Sequence, residues 1–93
     1  MFIGAETFYI EITDGITLKD KRQVVKSLLD RARARFHVAA AEIDHLDSPR
    51  FATIAVVTVS NDQAVIHRVL EHIANMVEAE SRSLVLDRTV EIF

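Results

Sequence analysis

Hydrophobic and polar positions follow a strand period and then a helix period in the first part of the chain. Phe8, Ile10 and Ile12 alternate with more polar neighbours, which is the pattern of a strand with one buried face. Asp14 and Gly15 mark a turn, after which apolar residues recur at helical spacing. The expected buried face of this first helix comprises Val25, Leu28, Leu29, Ala32 and Phe36.

The second part of the chain repeats this succession. Residues 37–45 predict a second strand, and the β-branched apolar run FATIAVVTV predicts a central strand. A second helix is expected next, capped by Ser60 or Asn61, and the final residues SLVLDRTVEIF predict a last strand. The second helix has its expected buried face at the same spacing as the first, on Ile66, Val69, Leu70, Ile73 and Val77.

The order strand, helix, strand, strand, helix, strand defines the fold class. Both strand–helix–strand crossovers are expected to be right-handed. Together they predict an α+β, ferredoxin-like βαββαβ sandwich, in which a four-stranded antiparallel sheet has the order 4-1-3-2 and both helices lie on one face. No linker or low-complexity tract interrupts the sequence, so residues 1–93 are expected to form a single domain.

The third strand is apolar on both of its faces, although the helices can cover only one. The uncovered face is expected to carry apolar side chains next to Tyr9, and we assign Ile54 and Val56 to it. Contiguous exposed apolar patches commonly mark interfaces. The sequence therefore predicts a homodimer that associates through Tyr9, Ile54 and Val56. The alternative is a moderately apolar surface that binds nothing.

Composition narrows the possible chemistry. The chain has no cysteine, which excludes disulfides, thiolate nucleophiles and cysteine-ligated metals. Apolar residues make up 49% of the chain and charged residues 27%, which suits one core with a soluble surface. The N-terminal residues lack the basic region of a signal peptide, and no apolar run is long enough to span a membrane. We expect a cytoplasmic protein without membrane contact.

Positive charge is concentrated in the first helix, although the net charge of the chain is −3. Most of these cations form a stripe beside the apolar face, which predicts contacts with the phosphates of a nucleic acid. The predicted anion-binding residues are Lys19, Lys21, Arg22, Lys26 and Arg33. The alternative is that the cations coat an exposed helix and pair with carboxylates of the second helix, or with Asp14 and Asp87.

The start of this helix carries two different signals. Thr17 and Asp20 have the T-x-x-D spacing of a capping box, so part of the motif TLKDKRQVVK is expected at any helix start. Cations in the first turn oppose the helix dipole, however, and stability alone would favour acids there. This local cost favours a functional reason for Lys19, Lys21 and Arg22.

Two clusters of titratable residues are weaker candidates. Asp44, His45 and Asp47 contain metal-ligand types, but neighbouring residues in a strand point to opposite faces. His67 and His72 are five residues apart and do not share one helix face, as two ligands of one ion would. With only two glycines, the chain cannot form a glycine-rich phosphate loop. We predict no catalytic residue, no cofactor and no metal site.

Recognition of RNA on the sheet face is also less favoured. That mode requires spaced aromatic residues on the central strands, on which bases can stack. The third strand offers only Phe51, and the first offers Tyr9, because Phe8 is assigned to the core.

Four segments in this order are similar to DUF503, a small bacterial family of unknown function that is also called YlxP-like: TLKDKRQVVKSLLDRARARF, VAAAEIDHLD, ATIAVVTVSND and VEIF. The matching positions are Leu18, Lys19, Asp20, Lys21, Arg22, Ala41, Glu42, Asp44, His45, Ala52, Thr53, Val59, Ser60, Asn61 and Asp62. Where the family usually has Trp-Gln-Arg, this chain has Pro49, Arg50 and Phe51. The resemblance implies a ferredoxin-like fold and no established activity. Its members often lie in gene neighbourhoods with translation factors, which implies association with RNA or the ribosome.

The predicted function is a non-enzymatic binding module that associates with RNA or with the ribosome and translation machinery through the basic first helix. The alternative is a protein-interaction or small-ligand regulatory domain that acts through a dimeric sheet face. Salt dependence separates the two, because phosphate-mediated binding weakens steeply with salt and apolar contacts do not.

Overall fold

The computed structural model describes all 93 residues and contains six elements in the predicted order. They are β1 (Phe2–Ile12), α1 (Leu18–Phe36), β2 (Ala39–Asp44), β3 (Phe51–Ser60), α2 (Gln63–Glu78) and β4 (Ser83–Ile92). The strands form one antiparallel sheet in the order β2-β3-β1-β4, which confirms the predicted arrangement 4-1-3-2. α1 and α2 both pack on the sheet, and the core lies between them and its strands.

The register of β1 and β3 decides which residues of β3 enter the core. Phe8 is buried beneath the helices and lies opposite Ile54. Residues that face each other across two strands share one face of the sheet, so Ile54 and Val56 also point toward the helices. Both are 1% exposed, and their assignment to the self-association surface was wrong. The periodicity of β3 could not reveal this, because the strand is apolar at both alternate sets of positions.

The face of the sheet that points away from the helices, the outer face, has three zones. The first, the aliphatic half, includes Val59 and the cross-strand neighbours Ala39, Val57 and Ala5. The second is a short-chain row made of Ala41, Ala55, Thr7 and Thr89, which lie opposite one another across the four strands. The third zone, beyond this row, contains Tyr9 and Phe51 and is aromatic. The outer face is therefore not uniform.

Both helices begin at well-formed caps. The Thr17 hydroxyl accepts a hydrogen bond from the Asp20 amide, and the Asp20 carboxylate accepts one from the Thr17 amide, each at 3.1 Å, which confirms the predicted capping box. α2 is capped by Asp62, whose carboxylate accepts from the Ala64 amide at 2.9 Å. The expected cap at Ser60 or Asn61 was wrong, because β3 continues as far as Ser60.

A buried carboxylate joins β1 to the edge strand β4. Glu6 is completely buried, and the Arg88 guanidinium donates to its Oε2 at 2.8 Å. Arg88 also approaches Glu71 and Glu78 of α2, at 3.5 and 3.6 Å. Burial raises the pKa of the Glu6 carboxyl, although the charge of Arg88 acts in the opposite direction. Arg88 thus connects β4 both to β1 and to α2.

Candidate nucleic-acid interface

The predicted cations of α1 differ in their environments, and Lys21 differs most. Its side chain is completely buried, and its ammonium group lies 2.6 Å from the Glu42 carboxylate on β2. The same Nζ donates to the carbonyl oxygens of His45 and Leu46, at 2.8 and 3.3 Å. Lys21 is therefore unavailable to an external anion, and its assignment to the binding surface was wrong.

The reason is the helical position of Lys21. It lies three and four residues before Val24 and Val25, which are both buried, so it shares their face of α1. Its long side chain runs along the edge of the core to the β2–β3 loop, residues 45–50. The ammonium group thereby fixes two carbonyl groups at the start of this loop next to the first turns of α1.

Lys26 and Arg33 remain on the surface but share one carboxylate. Lys26 Nζ lies 2.6 Å from Asp30, and Arg33 Nη1 lies 3.5 Å from the other oxygen of the same carboxylate. The hydrogen bond from Lys26 lowers the pKa of Asp30. Arg33 also donates to the Ala40 carbonyl at 2.5 Å. Asp30 therefore offsets part of the positive charge in this section of α1.

Lys19 and Arg22 are the predicted cations that stay exposed and form no ion pair. They lie three residues apart in the first turns of α1 and therefore on the same face. The expected alternative, pairing with carboxylates near α2, applies instead to Arg31. Its guanidinium lies 2.6 Å from Glu80, which follows α2.

An open cleft of about 510 Å³ lies between the β1–α1 connection and the β2–β3 loop. Its lining residues are Glu11, Ile12, Thr13, Gly15, Ile16, Pro49 and Arg50. Arg50 projects from the β2–β3 loop, donates to Glu11 at 2.5 Å, and keeps a side chain that is largely exposed. The cleft therefore carries one exposed guanidinium beside a largely polar wall.

An aromatic cluster of Tyr9, His45 and Phe51 occupies the same end of the sheet. The Tyr9 and Phe51 rings are stacked, with centroids 5.7 Å apart and planes inclined by 19°. The His45 ring lies 5.0 Å from that of Tyr9. The Arg50 guanidinium lies 5.7 Å from the centroid of the Phe51 ring, within the range of a cation–π contact.

Sequence reasoning missed the contribution of His45. This residue leaves β2 in a left-handed conformation, with φ of 61°, and its ring turns toward the outer face, where Nδ1 lies 3.0 Å from the Thr53 hydroxyl. Asp44 accepts a hydrogen bond from the His45 amide at 2.8 Å. Alternation along an extended strand cannot predict such a turn, because it assumes that the strand continues through His45.

The remaining candidates are the carboxylates and histidines of the two titratable clusters. No three His, Asp or Glu side chains are arranged to hold a metal ion. His72 stacks on Phe36, with ring planes inclined by 11°, so its ring contacts α1. Neither helix has the length and apolarity that crossing a lipid bilayer would require.

Comparison with known proteins gives a family and a fold. Residues 3–90 match the profile of the family described as "Protein of unknown function (DUF503)", which confirms the resemblance carried by the sequence motifs. No curated protein matches the chain.

Several solved structures share the fold at low sequence identity. The de novo designed protein Foldit4 is 14% identical over 100% of this chain and 97% of that chain, with a TM-score of 0.57. A dimeric ferredoxin-like protein of unknown function from Thermobifida fusca is 15% identical over 100% and 90%, with a TM-score of 0.50. SnoaB, a cofactor-independent oxygenase from Streptomyces nogalater, is 11% identical over 97% and 90%, with a TM-score of 0.50. At these identities the similarity shows the fold alone.

Proposed function

Because the chain belongs to DUF503, a family of proteins of unknown function, its role must be inferred from its own surface, and we propose that it is a non-enzymatic RNA-binding module. The proposed contact surface is formed by Lys19, Arg22 and Lys26 of α1, with Arg33 at its margin. The partner is RNA, alone or within the translation machinery, and the proposed location is the cytoplasm.

The observation that carries this proposal is the state of Lys19 and Arg22. Both are exposed and form no ion pair, although seven of the chain's other cations do. Positive charge in the first turns of a helix is unfavourable, by about 0.3–1 kcal/mol for each group. No ion pair offsets this cost, although the hydrogen bond with Thr17 and, to a smaller extent, the charge of Lys19 lower the pKa of the Asp20 carboxyl. An external polyanion would offset the cost, because phosphate contacts release counterions.

Spacing supports the same surface. Lys19, Arg22 and Lys26 succeed one another at intervals of three and four residues, which places them on one face of α1. From Lys19 to Lys26 the helix rises about 10 Å, enough to follow part of a phosphate backbone. Loss of Lys21 from the surface leaves this line unchanged, because the Lys21 side chain lies on the buried face.

The test compares two double variants that remove equal charge. Lys19→Ala with Arg22→Ala removes the proposed contacts, whereas Arg35→Ala with Arg68→Ala removes two other exposed, unpaired cations. Binding of a labelled single-stranded RNA is measured by fluorescence anisotropy over a range of salt concentrations. The first variant should bind more weakly, and the slope of log affinity against log salt should flatten by about 1.4. Equal binding by the two variants would refute the proposed surface.

A second candidate is a protein-interaction domain that acts through the outer face of the sheet. The observation that favours it is the aliphatic half, where Val57 and Val59 are exposed beside Ala5 and Ala39, with Glu91 opposite Ala5 at its β4 margin. Monomeric proteins seldom leave a contiguous apolar surface of this kind uncovered. The two functions are compatible, because α1 and the outer face lie on opposite sides of the sheet.

A further inference from the structure

The aromatic cluster lies on the outer face, so its packing does not serve the main core. Phe8, the neighbour of Tyr9 in β1, points beneath the helices and is fully buried, whereas Tyr9 points outward and keeps part of its surface exposed. Phe51 is also partly exposed. β1 and β3, which carry these two rings, are the two central strands of the sheet. The cluster therefore presents aromatic surface on the two central strands, at one end of the outer face.

The cluster is also held in a defined arrangement. His45 adopts its left-handed conformation, its amide is bound by Asp44, and its ring lies within hydrogen-bonding distance of the Thr53 hydroxyl. The backbone of His45 is also fixed from the other side of the sheet, because the buried Lys21 ammonium donates a hydrogen bond to the His45 carbonyl oxygen. The ring of His45 is thus positioned before any partner binds.

Arg50 brings one guanidinium to the cluster, whose other charged neighbours are the carboxylates of Glu11 and of Asp87, the residue opposite Tyr9 on β4. The guanidinium lies over the Phe51 ring and is largely exposed, although it also pairs with Glu11. An arginine beside stacked aromatic rings can contact a phosphate while a base lies on the rings. In space the two sheet aromatics, Tyr9 and Phe51, are joined by the His45 ring and the Arg50 guanidinium.

From this geometry we propose that Tyr9, His45 and Phe51 form a stacking surface for an unpaired base of single-stranded RNA. The inference rests on the proposed function and specifies the class of RNA. Bases in a duplex are stacked on one another and cannot lie on a protein ring, whereas those of loops and single strands can. The cations of α1 would contact phosphates of either form, whereas the aromatic cluster, on the opposite side of the sheet, is a separate contact that only the single-stranded form can make.

The chain contains a built-in reporter for this contact. Tyr9 is the only tyrosine and the chain has no tryptophan, so tyrosine fluorescence comes from the aromatic cluster alone. Titration of the wild-type protein with a single-stranded oligouridylate should change this emission as the base stacks. An abasic ribose-phosphate oligomer of equal length should bind with its phosphates and leave the emission unchanged. An equal response to both oligomers would overturn the proposal.

Two variants test the affinity. Phe51→Leu keeps an apolar side chain at the site, and His45→Asn keeps a residue that tolerates the left-handed conformation. Each should weaken oligouridylate binding about 5- to 100-fold, with an unchanged salt slope, and leave the binding of an RNA duplex of equal length unchanged. Thermal unfolding by circular dichroism checks that both variants are folded. If both folded variants bind oligouridylate as the wild type does, the stacking proposal is wrong.

The outcome also separates this inference from the proposed function. If the Lys19 and Arg22 double variant loses RNA binding and the Phe51 and His45 variants do not, the surface on α1 stands and the stacking surface falls. If the aromatic variants lose binding and the double variant does not, the stacking surface stands and the role of α1 falls. A wild-type protein that binds neither single-stranded nor duplex RNA overturns both.

Discussion

Lys21 holds its ammonium group inside the fold against a carboxylate and two carbonyl oxygens. A buried pair adds little net stability compared with apolar residues of the same shape, but the removal of one partner is costly. The partner left behind is buried without its counter-charge. At this position the carbonyl groups of His45 and Leu46 would also lose their donor.

We predict that Lys21→Met lowers the free energy of unfolding by about 2–4 kcal/mol, because Glu42 is left in a largely buried position without a cation. Urea unfolding followed by circular dichroism measures the change. Lys19→Met, at an exposed lysine two residues away, is the control and should cause no loss of stability, because its cation opposes the helix dipole. Adding Glu42→Met to Lys21→Met should restore part of the loss. Equal stability of the two single variants would contradict the structural role of Lys21.

The same residue shows how far a sequence can separate structural from surface charge. Lys19, Lys21 and Arg22 are adjacent and chemically alike, and their shared motif suggests one role. The helical period does distinguish them, because Lys21 falls on the face of Val24 and Val25. The sequence does not show that Glu42 lies next to Lys21 in space, because the position of Glu42 is set only when β2 pairs with β3. The partner of a buried charge is a tertiary property.

Glu80, in the connection between α2 and β4, joins this connection to α1. Its carboxylate is 2.6 Å from Arg31 of α1 and 2.9 Å from Arg82, so it ties one helix to the connection that follows the other. These contacts, with the hydrogen bond from Arg82 as the largest, lower the pKa of Glu80 to about 2. The ordinary value is 4.5.

The sign of the pH dependence follows from this lowered pKa. The contribution of Glu80 is fully present above pH 4.5, the ordinary value, and disappears as the pH falls through about 2. We predict that Glu80→Gln lowers the free energy of unfolding by about 1–3 kcal/mol at neutral pH, since both arginines are partly exposed and screened. The difference in the free energy of unfolding between this variant and the wild type should vanish as the pH falls through about 2. Denaturant unfolding at a series of pH values measures it.

Glu91 supplies the control for this experiment. It lies on β4, is exposed and forms no ion pair, so Glu91→Gln should show neither the loss nor its pH dependence. A difference between Glu80→Gln and the wild type that persists unchanged down to pH 2 would show that the ion pairs are not its cause.

The elements themselves were predictable and the orientation of one strand was not. α1 and α2 each have one apolar periodic face, and the alternation of Phe8, Ile10 and Ile12 marks the inner face of β1, so the burial of these residues follows from the sequence. β3 has apolar residues on both faces, and only its register with β1 selects Ile54 and Val56 for the core. A strand with two apolar faces contains no local signal for its orientation.

The homodimer remains a prediction for the whole molecule, but the surface expected to form its contact is different. With Ile54 and Val56 in the core, the surface available for self-association is the aliphatic half of the outer face, centred on Val57. Tyr9 belongs to the aromatic cluster beyond the short-chain row. The element order was sufficient to predict the sheet and its helices. The zones of the outer face arise from residues of four strands and required the register.

We predict that the wild-type protein is a dimer at micromolar concentration in size-exclusion chromatography with light scattering. Val57→Glu should weaken the dimer at least about tenfold, because a carboxylate would be desolvated at the contact. Ala34→Glu, at an exposed position of α1, is the control and should leave the dimer intact. A monomeric wild type under these conditions would contradict self-association.

The short-chain row has a consequence for how such a dimer would engage RNA. Because Ala41, Ala55, Thr7 and Thr89 separate the aliphatic half from the aromatic cluster, two copies that meet through their aliphatic halves would leave both clusters at opposite ends of the pair. The pair would then be bivalent. A strand long enough to reach both ends would bind the second copy at a high effective concentration, so that affinity would depend on RNA length as well as on sequence.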